Sequence, residues 1–184
     1  MPSPILLAEL DGSDGFVLQG EPDDSVVGRV NNGNRGFYLD GDGDANGDGF
    51  ADILIGGFGS PSRGGLFFGD GSAFSAAIDM RSFDQPGSQG LRFNDFNGTA
   101  SGSNVGVGMV GDINGDGLDD IAFGSIFEDT NAAGSEGDDG VVSVVFGSAD
   151  LFGHPPITGT SLDGSDGFRA NGFNTQRLLH KPPF

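Results

Sequence analysis

Two nine-residue stretches constrain this chain more than anything else in it. Residues 112–120 read DINGDGLDD, and residues 44–52 read DANGDGFAD. They align without a gap at a constant offset of 68 (112 − 44, 116 − 48, 120 − 52). Oxygen-bearing side chains therefore recur at loop positions 1, 3, 5 and 9, as Asp44, Asn46, Asp48 and Asp52 and again as Asp112, Asn114, Asp116 and Asp120. Gly49 and Gly117 hold position 6.

That spacing has a chemical reason. Asp and Asn are short enough to keep an oxygen near the backbone, and glycine at position 6 permits a sharp turn that a Cβ would resist. A tightly turning loop of this kind aims alternate side chains at one point, which suits Ca²⁺, a hard cation that takes about six to eight oxygens. Position 7 gives a backbone carbonyl, here that of Phe50 or Leu118. Two carboxylates about 4 Å apart repel by about 4 kcal/mol at an effective dielectric near 20, and a cation removes that repulsion. Solvated acidic turns draw on the same residue types, but two copies in one register favour chelation. The expected cofactor is thus Ca²⁺ at two sites. An EF-hand would need a carboxylate at position 12 and a helix on each side. Position 12 is Ile55 or Phe123, and the short apolar run that follows each loop reads as a buried strand. The loops therefore belong to β-hairpins.

Composition agrees. The chain of 184 residues carries 36 Gly, and only 4 of its 27 acids are Glu. Asp and Gly favour turns where Glu and Lys favour helices, which argues for an all-β fold. The 17 Phe supply the bulk of a core and speak against disorder. The net charge of −19 excludes nucleic-acid partners. There is no cysteine, hence neither disulfide nor thiolate metal site. Residues 1–10 lack the basic region and apolar run of a signal peptide, and no segment is long enough to span a membrane.

A second repeat frames the first. LDGSDGF occurs at 10–16 and again at 162–168, a separation of 152 (162 − 10), with a degraded copy, FDQPGSQGL, at 83–91. Between these markers the order is the same twice: acidic loop, apolar strand, variable loop, and an apolar strand ending in Phe-Gly. The expected strands are a at 105–110, with 26–30 or 36–39 in the first copy; b at 52–56 and 120–124; c at 65–68 and 141–146; and d at 90–94 and 167–171. A further strand at 15–19 belongs to a preceding unit. Four-stranded antiparallel meanders at this period read as β-propeller blades.

The residues GDxNGDGxxD, followed by a Gly-closed strand, a Phe-Gly-closed strand and LDGSDGF, resemble the FG-GAP repeat, the calcium-binding blade of integrin α-subunit propellers and of many secreted bacterial proteins. The resemblance covers about residues 10–173. It implies metal ligation by Asp44, Asn46, Asp48, Phe50 and Asp52, and by Asp112, Asn114, Asp116, Leu118 and Asp120. The Gly-Ala-Pro element of the family is reduced here to Gly56-Gly57-Phe58 and Gly124-Ser125-Ile126. The implied organisation is an outer strand of a preceding blade at 1–19, blades at 20–94 and 95–173, and an atypical tail at 174–184. That is about two and a half blades of an incomplete propeller, prone to self-association. The implied role is structural, adhesive or ligand-binding, at the cell surface or outside the cell, where millimolar calcium fills weak loops. The rival is a non-catalytic propeller region appended to a secreted hydrolase.

Other signals carry less. Gly106, Gly108 and Gly111 match GxGxxG, but the acidic loop starts at the next residue where a dinucleotide site needs a helix. The DGSDG segments read as plain turns, although Asp11 with Asp14 and Asp163 with Asp166 could attract a cation weakly. Asp40 and Asp42 could offer alternative ligands to the first loop, but read rather as a solvated approach to it. Asn97 heads an N-glycosylation sequon. His154 and His180 stand without a nucleophile motif, so no catalysis is expected. The face opposite the acidic loops, at 20–25, 56–64, 94–104 and 125–139, near Phe58 and Phe127, reads either as a site for a protein or carbohydrate ligand or as ordinary surface loops.

Overall fold

The computed structural model describes residues 7–19, 38–56, 63–85, 87–94, 105–125 and 140–172. Among them are eleven strands, three 3-10 turns and no α-helix. Two antiparallel meanders dominate. The first joins β2 (Tyr38–Gly43), β3 (Asp52–Gly56), β4 (Arg63–Phe67) and β6 (Gly90–Asn94). The second joins β7 (Val105–Gly111), β8 (Asp120–Ser125), β9 (Val141–Val145) and β11 (Gly167–Asn171), each strand pairing with the one before it. These fall on the expected a, b, c and d strands. Of the two placements for the first strand a, the later one holds and runs on to Gly43, while 26–30 lies outside the described residues.

Three short strands complete the sheets. β1 (Val17–Gln19) pairs in parallel with β5 (Ala77–Asp79), and β10 (Ile157–Thr158) adds in parallel to β6. β5 and β10 both lie in the linker between strands c and d, where the sequence suggested only a turn. The linker of the second repeat thus extends the sheet of the first.

Alternation decides which faces are covered. Along β3, Leu54 packs in a cluster with Ile121, Phe123 and Val145 of the second meander, while Ile55 on the other face packs with Phe67, Met80 and Phe83. A strand buried on both faces reads as an unbroken apolar run, as ILIG does after Asp52. The two meanders meet through Phe93 and Phe123, whose ring centroids lie 4.7 Å apart at a 52° tilt. Such a pair contributes about 0.5–1.5 kcal/mol beyond its buried area. On the other side, Phe16, Phe67 and Phe74 form a ring cluster with centroids 4.9–5.4 Å apart. The phenylalanines are therefore the layers between successive sheets.

Candidate metal loops

Each acidic loop joins strand a to strand b at the same end of its meander, and each is closed by the same hydrogen bonds. Asp44 Oδ1 accepts from the backbone N–H of Gly47 (2.7 Å) and Asp48 (3.1 Å), and its Oδ2 from Gly49 (2.8 Å). Asp112 does the same with Gly115 (2.6 Å), Asp116 (3.0 Å) and Gly117 (2.8 Å). The side-chain amide of Asn46 donates to Asp48 Oδ2 at 3.0 Å, as that of Asn114 donates to Asp116 Oδ2 at 2.9 Å. Asp48 Oδ1 accepts from Phe50 N–H and Asp116 Oδ1 from Leu118 N–H, both at 2.9 Å. Gly47 and Gly49, at φ of 75° and 89°, take the left-handed conformation that this winding needs, and Gly115 and Gly117 match them.

Position 9 does something else. Asp52 and Asp120 are fully buried. Asp52 accepts from Ala45 N–H within the loop (2.9 Å) and from Gly69 N–H beyond strand c (3.1 Å). Asp120 accepts from Ile113 (2.9 Å) and Gly147 (2.8 Å). Each carboxylate thus bolts its loop to the exit of the third strand. Burial pushes the Asp52 carboxyl up to about 6, with the Asp44 and Asp48 charges adding to it and the two N–H donors opposing it.

The structure therefore brings Asp44, Asn46 and Asp48 together, and likewise Asp112, Asn114 and Asp116. It holds the third carboxylate of each set on backbone donors. Among the described residues no three carboxylate, imidazole or thiol groups converge into a ready metal cage. The donor chemistry still suits a hard cation. Every side chain in each set offers oxygen, and a carboxylate has about four lone-pair sites, of which the two bonds to Asp48 leave some free. Asp44 and Asp112 each already accept three N–H bonds, which leaves about one such site on each.

The first loop is also a structural joint. Asp44 N–H donates to Asp119 Oδ2 (2.8 Å), Asp119 N–H donates back to the Asp44 carbonyl (3.2 Å), and Ser148 N–H donates to the Ala45 carbonyl (2.8 Å). Glycine makes the approach close. A Cβ on Gly147 would stand 2.6 Å from the Asp119 carbonyl oxygen and 3.0 Å from that of Ala45. Asp40, expected as a solvated approach, instead accepts from Met109 N–H across the joint at 2.9 Å, while Asp42 is exposed. Nothing near Asp40 in the chain foretells this bond, because the partner lies 69 residues away.

The DGSDG segments form hydrogen-bonded turns. Asp11 and Asp163 each accept from the backbone N–H and hydroxyl of the serine two residues on, at 2.6–2.9 Å. Those bonds hold both carboxyls below their usual range. Residues 106–111 lie on strand β7 with no helix after them. Phe58, Phe127, the Asn97 sequon, His180 and most of the expected ligand-reading face lie outside the described residues. No described helix is long and apolar enough to cross a membrane. Searches against family models, curated proteins and solved structures find no match for this chain.

Proposed function

We propose that this chain is a calcium-stabilised β-propeller module of FG-GAP type, with a structural, adhesive or ligand-binding role outside the cell and no catalysis of its own. One observation carries the reading. Two loops 68 residues apart share the oxygen pattern of a calcium loop and repeat the same internal hydrogen bonds at the same strand junction. Two meanders stacked face to face, with strands a side by side, support the propeller part. Calcium would be held by Asp44, Asn46, Asp48 and the Phe50 carbonyl, and by the matching four residues of the second loop, with Asp52 and Asp120 bracing each loop through their backbone donors. It would neutralise carboxylates that otherwise rely on backbone N–H donors, and so brace the a–b hairpins. The test is calorimetric titration of the chelator-treated chain with Ca²⁺, read beside its thermal melt. Saturable binding at two sites with a raised midpoint is expected; no heat and superimposable melts would refute the reading.

A further inference from the structure

The two acidic loops agree at six of nine positions and differ at three: Ala45 against Ile113 at position 2, Phe50 against Leu118 at position 7, and Ala51 against Asp119 at position 8. The agreeing positions hold every oxygen-bearing side chain that the loops share, and both glycines of the turn. Position 7 would give an ion its carbonyl alone, which leaves its side chain free to vary. The differences therefore lie outside chelation.

All three fall where the loops meet. Ala45 is buried in one cluster with Ile121, Val145 and Leu151 of the second repeat, and its carbonyl accepts from Ser148 N–H (2.8 Å). Its counterpart Ile113 is exposed. Leu118 seats on Gly47, where a Cβ would stand 2.6 Å from its Cδ2. Its counterpart Phe50 lies instead over Gly71 of its own repeat. Asp119 accepts Asp44 N–H on its Oδ2 (2.8 Å) and donates its own N–H to the Asp44 carbonyl (3.2 Å). Its counterpart Ala51 is exposed and has no side-chain acceptor.

These contacts join the working parts of both loops. Asp44 opens the first loop, and its carboxylate gathers the N–H groups of Gly47, Asp48 and Gly49. Its own N–H and carbonyl are fixed by Asp119. Asp119 in turn stands between two parts of the second loop. Leu118 donates its N–H to Asp116 Oδ1, and Asp120 bolts the loop to Gly147. The backbone at 118–119 cannot shift without moving both the anchor of Asp44 and the side chain on Gly47. Winding of one loop thus holds the other in its wound form.

We propose that the two loops are a single cooperative calcium pair, in which filling either loop raises the affinity of the other, with Asp119 as the link. The proposal rests on the calcium reading of the loops. Such a coupling is reciprocal by linkage, and at the low end of the usual range it amounts to about fivefold in affinity.

An NMR titration of the isotope-labelled chain with Ca²⁺ reads the loops separately, through the amides of Gly47 and Gly49 in the first and of Gly115 and Gly117 in the second. Asp48→Ala, which disables the first loop, should weaken binding at the second by about fivefold or more. Asp116→Ala should weaken binding at the first by the same factor. In the Asp119→Ala background both loops should still bind, and adding Asp48→Ala should leave the second loop's affinity unchanged. That cycle separates coupling from any damage Asp48→Ala does by itself. Asp119→Asn keeps a side-chain acceptor and should keep the coupling. Unchanged affinity at the second loop in Asp48→Ala, or a coupling that survives Asp119→Ala, would overturn the proposal and leave two calcium sites standing. Loop amides that do not respond to Ca²⁺ at all would instead remove the calcium reading, and this proposal with it.

Discussion

The two meanders are the same unit with different neighbours. The face of the first that looks toward the second carries Leu54, Leu66, Leu91 and Phe93, all fully buried. The matching positions of the second are Ala122, Val144, Phe168 and Ala170, of which only Val144 is buried. The loops differ in the same way: Ala45 and Asn46 are buried beneath the second repeat, whereas their counterparts Ile113 and Asn114 are exposed. Internal hydrogen bonding is nevertheless the same in both. Local sequence therefore shapes the loop, and the neighbour decides its burial.

The largest expected effect sets matched positions against each other. Leu91→Ala should cost about 2–5 kcal/mol through its cavity, and Phe168→Ala about 1 kcal/mol or less. Denaturant melts of the two variants measure the contrast, and equal losses would mean that the forward face of the second repeat is covered as well. Calcium comes next. At a concentration 100 times the dissociation constant, each loop should contribute about 2.7 kcal/mol. Asp48→Ala and Asp116→Ala should each remove one such share. In chelator, Asp48→Ala should cost more, because it strips a partner from the buried Asn46. Melts with and without calcium would separate the two components.

The joint itself offers a smaller test. Asp119→Ala leaves the Asp44 N–H without its acceptor and should cost about 1–3 kcal/mol; the first repeat already has Ala51 at that place. Urea titration of Asp119→Ala beside Asp119→Asn checks it, the Asn keeping an acceptor. Smallest is a pH effect confined to the first linker. The Arg81 side chain and backbone N–H hold the Asp79 carboxyl down at about 2, where the second linker has Thr158. A depressed folded-state value means that this contribution is present above the ordinary carboxylate range and is lost as pH falls from about 4 to about 2. Acid melts of the parent and Asp79→Thr should differ above that window and converge below it.

Much of this architecture was legible from residues alone. Strands b, c and d stand out because apolar runs closed by glycine are long enough to show, and the acidic loops because their spacing repeats. The linker strands β5 and β10 did not, since two or three residues carry no alternation. Their signal lies instead in the spacing of Ile78 from Phe83 and of Ile157 from Leu162. In the loops, residue identity was readable but oxygen direction was not. The partners of Asp52 and Asp120 include Gly69 and Gly147, which only the third strand brings near. The role of Asp40 is hidden for the same reason, since it depends on Met109 across the joint.

The overlapping linkers also give the molecule an order in time. β10 lies over the edge of β6, and β5 over the edge of β1, so each repeat is latched by the one after it. The first repeat cannot fray at its outer strand until β10 of the second has let go. Opening is therefore directional, from the C-terminal repeat backwards, as overlapping roof slates must be lifted from the last one laid.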